Sequence, residues 1–99
     1  MKPFKRLEKL NTVGNLWIYI LSLLKKRELY GWEIRSLIDK KFNFRPGLIT
    51  PYRVFYRLEK QGFVKSKMRK RRRIYEITPK GKEELKKAKT FYQEIISKI

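Results

Sequence analysis

The chain has 99 residues, enough for one compact domain around a single core and too few for two. Twenty-seven Lys and Arg against nine Asp and Glu give a formal charge of +18, which points to a polyanionic partner rather than to a small acidic metabolite. The absence of Cys and His excludes disulfides, zinc sites of the usual ligand sets, and catalysis by imidazole or thiolate.

At the N-terminus, "MKPFKRLEKLNTVGN" carries charges but leads to no small-residue cleavage site, so it does not read as a signal peptide. Asn11 or Thr12 can cap a first helix, in which Val13, Leu16, Trp17, Ile20, Leu21 and Leu24 recur at helical spacing. Its apolar run "LWIYILSLL" has nine residues where a membrane helix needs about 20, so it reads as core. A cytoplasmic setting without membrane contact is expected.

A second helix follows in "GWEIRSLIDKKF", with Ile34, Leu37 and Ile38 on one face and Tyr30 and Trp32 as packing residues beside Gly31. The Pro46-Gly47 turn leads to Thr50 as N-cap and Pro51 as first helical residue of a third helix. Gly62 closes that helix in the left-handed conformation. Two strands come next: "FVKSKM", with Val64, Ser66 and Met68 on one side, and "IYEIT", with Tyr75 and Ile77 opposite Ile74 and Glu76. Thr78 and Pro79 repeat the cap-plus-proline signal and open a last helix of roughly twenty residues.

The expected fold is therefore mainly α with a small β-hairpin. It is a winged helix-turn-helix over residues 10–79 plus a C-terminal helix over 80–99 for dimerisation, within one domain spanning 1–99. In that architecture the third helix enters the major groove of double-stranded DNA and the hairpin lies along the neighbouring backbone.

On a helical wheel Pro51, Val54, Phe55, Leu58 and Gln61 gather on one side of the third helix, while Tyr52, Arg53, Tyr56 and Lys60 take the other, with Arg57 at the boundary. Arg53 suits a guanine edge, the tyrosines suit phosphates or thymine methyls, and Lys60 suits the backbone. Thr50 and the free amides of the first turn suit a phosphate. Packing of either tyrosine against the hairpin is the competing reading, and Glu59 is expected to pair with a neighbouring cation.

The hairpin places seven cations in nine positions: Lys65, Lys67, Arg69, Lys70, Arg71, Arg72 and Arg73. Crowding alone does not demonstrate a function, because same-face strand cations about 7 Å apart repel by only ~0.6 kcal/mol in water. Their place on the one hairpin that this architecture lays against phosphates says more. In the last helix, Leu85, Ala88, Tyr92, Ile95 and Ile99 alternate at spacings of three and four, with Phe91 and Ile96 widening the stripe. That stripe serves a homodimer or packing on the first helix of the same chain.

Three segments carry a family resemblance: "LSLLKKRELYGWEI", "TPYRVFYRLEKQGFV" and "RRRIYEITPKGKEEL". With Gly31, Trp32, Glu33, Ile34, Thr50, Tyr52, Arg57, Leu58, Glu59, Gly62, Arg72, Arg73, Tyr75, Thr78, Pro79 and Gly81 in matching places, the chain from about Leu16 to Leu85 resembles the PadR-like transcriptional regulators. Ile49, Pro51 and Arg53 depart from the family pattern of glycine, leucine and proline, which implies a reset start of the recognition helix. The resemblance implies a homodimeric DNA-binding regulator, usually a repressor, with the last helix and the first helix, including Trp17, building the dimer contact. It also implies Tyr52 and the wing cations at the DNA. By analogy with related regulators, Trp17 with Tyr92 or Phe91 would line a pocket at the dimer seam for a small aromatic effector; core packing explains the same residues at lower cost.

Two rivals use the same charge: an architectural protein that coats DNA without reading sequence, and an RNA- or ribosome-associated winged helix. Most aromatics read as buried, which weighs against RNA. An enzyme is not expected, because Glu28, Glu33, Asp39, Glu59 and Glu76 are scattered among basic residues and form no catalytic constellation. No cofactor or metal is expected either.

Overall fold

Pro46 and Gly47 keep two helices apart, and the apolar faces of both meet the same core. The structure is a computed structural model describing all of residues 1–99. Five helices run α1 (Pro3–Asn11), α2 (Leu16–Leu24), α3 (Ile34–Phe42), α4 (Thr50–Lys60) and α5 (Pro79–Lys98). Three strands, β1 (Leu29–Tyr30), β2 (Val64–Arg69) and β3 (Arg72–Ile77), form an antiparallel sheet in the order β1-β3-β2. This is a winged helix-turn-helix with one extra helix at each end.

The core is built where the helical faces converge: Leu16, Ile20, Leu21 and Leu24 of α2, Ile34 and Ile38 of α3, and Phe55 and Leu58 of α4. Val64 and Tyr75 close it from the sheet and Leu85 from α5. Phe55 stacks on Tyr75 with ring centroids 4.0 Å apart, so the inner face of the sheet is the face that meets α4. Each fully buried side chain of this size contributes roughly 1.5–3 kcal/mol.

The chain reverses between α4 and β2 through a hydrogen-bonded glycine cap. Gly62 takes φ 84, its amide donates to the Glu59 carbonyl at 3.0 Å, and the Phe63 amide donates to that of Leu58 at 2.9 Å. Thr78 caps α5 as expected: its hydroxyl oxygen accepts from the Gly81 amide at 3.0 Å and its proton goes to the Gly62 carbonyl at 2.7 Å. Gly81 is needed there because a Cβ would overlap the Phe63 carbonyl oxygen.

Four sequence expectations require correction. Residues Pro3–Asn11 form a helix, so Asn11 and Thr12 end α1 instead of starting the first core helix; their side chains donate back to the Leu7 and Glu8 carbonyls. α1 buries none of its own residues; its apolar positions Phe4, Leu7 and Leu10 recur every three residues among charged ones. Thr50 is the first helical residue of α4 and not its cap, which is Ile49. The sheet has a third strand, Leu29–Tyr30, too short to show alternation, and the hairpin strands run on to Arg69 and from Arg72, leaving a two-residue turn at the tip.

That turn is unusual. Lys70 and Arg71 both lie at positive φ, 51 and 64, the pair of left-handed residues that a type I′ hairpin turn requires and that Asn-Gly adopts at least cost. Arg69 and Arg72, of like charge, face each other across the closing pair.

Candidate nucleic-acid interface

The period of α4 divides it cleanly. Pro51, Phe55 and Leu58 are buried, whereas Tyr52, Arg53, Tyr56, Arg57 and Lys60 are exposed, Tyr52 by 47% and Tyr56 by 67%. The Lys60 ammonium lies 5.9 Å from the Tyr56 ring centre. Thr50 is exposed at the helix start and makes no capping bond. Tyr52 is set by its neighbours: a Cβ on Gly31 would stand 2.9 Å from its Cε1, and the same point is 3.6 Å from Tyr75. The turn presenting Gly31 is held by Glu33, whose carboxylate accepts from the Tyr30 amide at 2.8 Å and sits 3.3 Å from Arg27. Burial pushes the Tyr75 phenol above its ordinary pKa, helped by the nearby Glu59 charge and opposed by Arg73.

Strand alternation then sorts the wing cations. Opposite residues in an antiparallel pair share a face, so the register Ser66↔Tyr75 and Met68↔Arg73 puts Ser66, Met68 and Arg73 on the inner face with α4. Arg73 donates to the Ser66 hydroxyl at 2.9 Å, and that hydroxyl donates to Glu59 of α4 at 2.5 Å. The expected cation partner of Glu59 is thus reached through a serine.

Lys65, Lys67, Arg69 and Arg72 fall on the outer face. Lys65 lies 3.3 Å from Glu76, and Lys67 and Arg69 lie 3.9 and 2.8 Å from the two oxygens of Glu28. Arg72 stands 5.8 Å from the ring centre of Trp32, which is near-parallel to Tyr30. Only the tip residues Lys70 and Arg71 are cations of the hairpin with no partner of either kind. The structure therefore exposes Tyr52, Arg53, Tyr56 and Lys60 on α4, ties Arg73 to that helix through Ser66 and Glu59, and turns four of the seven wing cations to the outer face.

Trp32, expected to pack beside Gly31, does so at the surface: it is 58% exposed, near-parallel to Tyr30 and in contact range of Arg72. Phe4, Tyr52, Tyr56 and Phe91 are exposed as well, whereas the other nine of the fourteen aromatics are buried or half-buried, as expected of most of them. Period-2 alternation, applied to the register, was the signal that would have separated the cations.

The proposed dimer residues also divide. Leu85 is buried in the core of its own chain and is unavailable to a partner. Trp17 and Ala88 are half-buried, Trp17 against the core, and Tyr92 donates to the Asn11 side chain at 2.8 Å, tying α5 to the end of α1. Phe91, Ile95, Ile96 and Ile99 are exposed, and α1 adds Phe4, Leu7 and Leu10, which sequence reasoning missed. The aromatic pocket expected from Trp17 with Phe91 or Tyr92 belongs to a seam between two chains, which a single chain does not form. Trp17 lines a cavity of about 660 Å³ against α4, with Arg53 and Arg57 in its wall, and neither of the other two aromatics belongs to it. No group of three or more carboxylates comes together to hold a metal ion, and no helix is long and apolar enough to cross a membrane.

The family model of the transcriptional regulator PadR-like family matches residues 20–87. No curated protein shows a significant match to the chain. Among solved structures, a transcriptional regulator from Clostridium thermocellum is 34% identical, with a TM-score of 0.76 over 87% of this chain and 90% of that one. A PadR family transcription regulator from Clostridium difficile is 28% identical, with a TM-score of 0.75 over 82% and 90%. Bacillus subtilis PadR, solved in complex with operator DNA, is 25% identical, with a TM-score of 0.65 over 77% of this chain and 47% of that one. The match spans the core helices, the recognition helix and the wing, and the chain belongs to the PadR-like family of transcriptional regulators.

Proposed function

We propose that this chain is a double-stranded DNA-binding transcriptional regulator of the cytoplasm, a repressor that binds an inverted-repeat operator as a homodimer. The observation that carries the reading is the exposed stripe Tyr52, Arg53, Tyr56 and Lys60 on α4, the helix to which Arg73 of the wing is tied through Ser66 and Glu59. In this reading Arg53 and the tyrosines meet base edges, while Thr50, Arg57 and Lys60 meet flanking phosphates. Arg73 and the tip pair Lys70 and Arg71 meet the adjoining backbone. The outer-face cations, held by Glu28 and Glu76 or, for Arg72, lying by Trp32, contribute little.

The strained tip supports this. Two left-handed non-glycine residues cost about 1–2 kcal/mol each, and the chain keeps cations there where Asn-Gly would fold more stably. The relative bound to operator DNA has the same fold. The dimer rests on exposed apolar side chains of α1 and α5, which no element of a single chain covers. Two-fold symmetry then sets half-sites about 34 Å apart, or a multiple of that.

Titration of labelled DNA from upstream of the gene against random duplex and structured RNA, at several salt concentrations, tests the reading. A clear preference for the upstream duplex, with affinity falling steeply in salt, is expected. A preference ratio near one favours coating, and tighter binding to RNA, with Trp32, Tyr52 and Tyr56 as stacking platforms, favours the RNA-binding alternative.

A further inference from the structure

Glu59 puts a negative charge in the middle of a surface that otherwise suits phosphates. A carboxylate about 7 Å from a phosphate in water is repelled by ~0.6 kcal/mol, so on charge alone its removal would tighten every duplex. Yet its contacts are specific. Glu59 is half-buried, and its Oε2 accepts from Ser66 at 2.5 Å while the Ser66 oxygen accepts from Arg73 at 2.9 Å. A hydroxyl has one proton, and here the carboxylate takes it, so the serine lone pairs face the guanidinium and the relay runs one way.

No direct ion pair joins Glu59 to Arg73, so the serine is the link. Nearer the core, the hairpin is held to α4 by the stacking of Phe55 on Tyr75. Further out, Met68, Arg69, Lys70, Arg71 and Arg72 make no hydrogen bond to α4. The relay is therefore the outermost polar tie between the recognition helix and the wing.

We propose that Glu59 is a positioning residue: through Ser66 and Arg73 it fixes the angle between α4 and the wing, and so sets how strongly the interface prefers its own site over other DNA. The preference half of this rests on the DNA reading above; the angle half does not. A short, charge-assisted pair of hydrogen bonds holds a hairpin that ends in a strained turn and like charges, which otherwise favour spreading. Glu59 is retained at a small cost in general affinity for a gain in geometry.

The chain has no cysteine, so a single pair introduced at Lys60 and Lys70 can carry spin labels for a distance measurement across the helix-wing gap, with excess unlabelled chain present so that distances within one chain are read. The parent should show one narrow distribution. Glu59→Ala and Ser66→Ala should each broaden it, whereas Glu59→Gln, whose amide oxygen still accepts from Ser66, should keep it narrow. In unlabelled protein, Glu59→Ala should lower the preference for the upstream duplex over random duplex about tenfold, while affinity for random duplex stays level or rises. Glu59→Gln should retain most of the preference. An unchanged distribution in both alanine variants overturns the positioning role, as does equal tightening of all duplexes by Glu59→Ala and Glu59→Gln. If the parent protein shows no preference, the specific-DNA reading fails, and the distance distributions still decide whether Glu59 holds the wing.

Discussion

Gly31 and Gly81 show how single residues without a side chain admit close packing, Gly31 beside Tyr52 and Gly81 beside Phe63. At Gly81 the obstacle is backbone, the Phe63 carbonyl, which has nowhere to go. Gly81→Ala should destabilise by about 1–3 kcal/mol or more, seen as a lowered midpoint in thermal melting. At Gly31 the obstacle is the Tyr52 ring, which can swing away. Gly31→Ala should leave the melting midpoint nearly unchanged and lower preference for the cognate duplex, since it moves a tyrosine of the recognition stripe; comparison with Tyr52→Ala checks this. Tyr75 adds a pH signature. Burial raises its phenol above the ordinary 10.0, so the neutral form belongs to the fold. Its contribution is complete below pH 10 and is lost as pH rises through the raised value, and Tyr75→Phe should lessen that alkaline loss in chemical denaturation.

At the scale of elements, the turn between β2 and β3 trades stability for charge. Replacing Lys70-Arg71 by Asn-Gly should raise stability by about 1–2 kcal/mol, because it relieves two left-handed non-glycine residues. The same change should reduce DNA affinity and lower the salt slope by about two, since two phosphate contacts go with it. A turn that merely connects strands would gain stability with no loss of binding. The elements themselves were unequally legible. α4 could be read in detail because Pro51, Phe55 and Leu58 repeat at helical spacing against a polar remainder, and α5 because Thr78 and Pro79 announce it. Leu29–Tyr30 could not, since two residues carry no period and its pairing depends on the free edge of β3. The wing cations were visible as a run, but the division between Arg73 and its outer-face neighbours exists only once Met68 is known to face Arg73.

For the molecule as a whole, the proposed dimer would account for the apolar side chains that α1 and the end of α5 expose. Phe4, Leu7 and Leu10 project from a helix that buries nothing, and Phe91, Ile95, Ile96 and Ile99 extend beyond the part of α5 that packs on the core. The spacing of Phe4, Leu7 and Leu10 was the signal in the sequence that could have found α1. Leu7→Glu or Ile95→Glu should shift sedimentation from dimer to monomer at micromolar concentration with little loss of monomer fold. Operator affinity should fall at least tenfold, since a monomer engages one half-site.

The most direct measurement is the salt dependence of duplex affinity for two triple variants: Lys70→Ala, Arg71→Ala and Arg73→Ala together, against Lys65→Ala, Lys67→Ala and Arg69→Ala together. With one duplex spanning the α4 stripe and the inner edge of the wing, the first set should flatten the slope by roughly three contacts' worth, about 2.7, and the second should barely change it. Equal flattening by the two sets, or a greater effect from the outer-face set, would contradict that geometry.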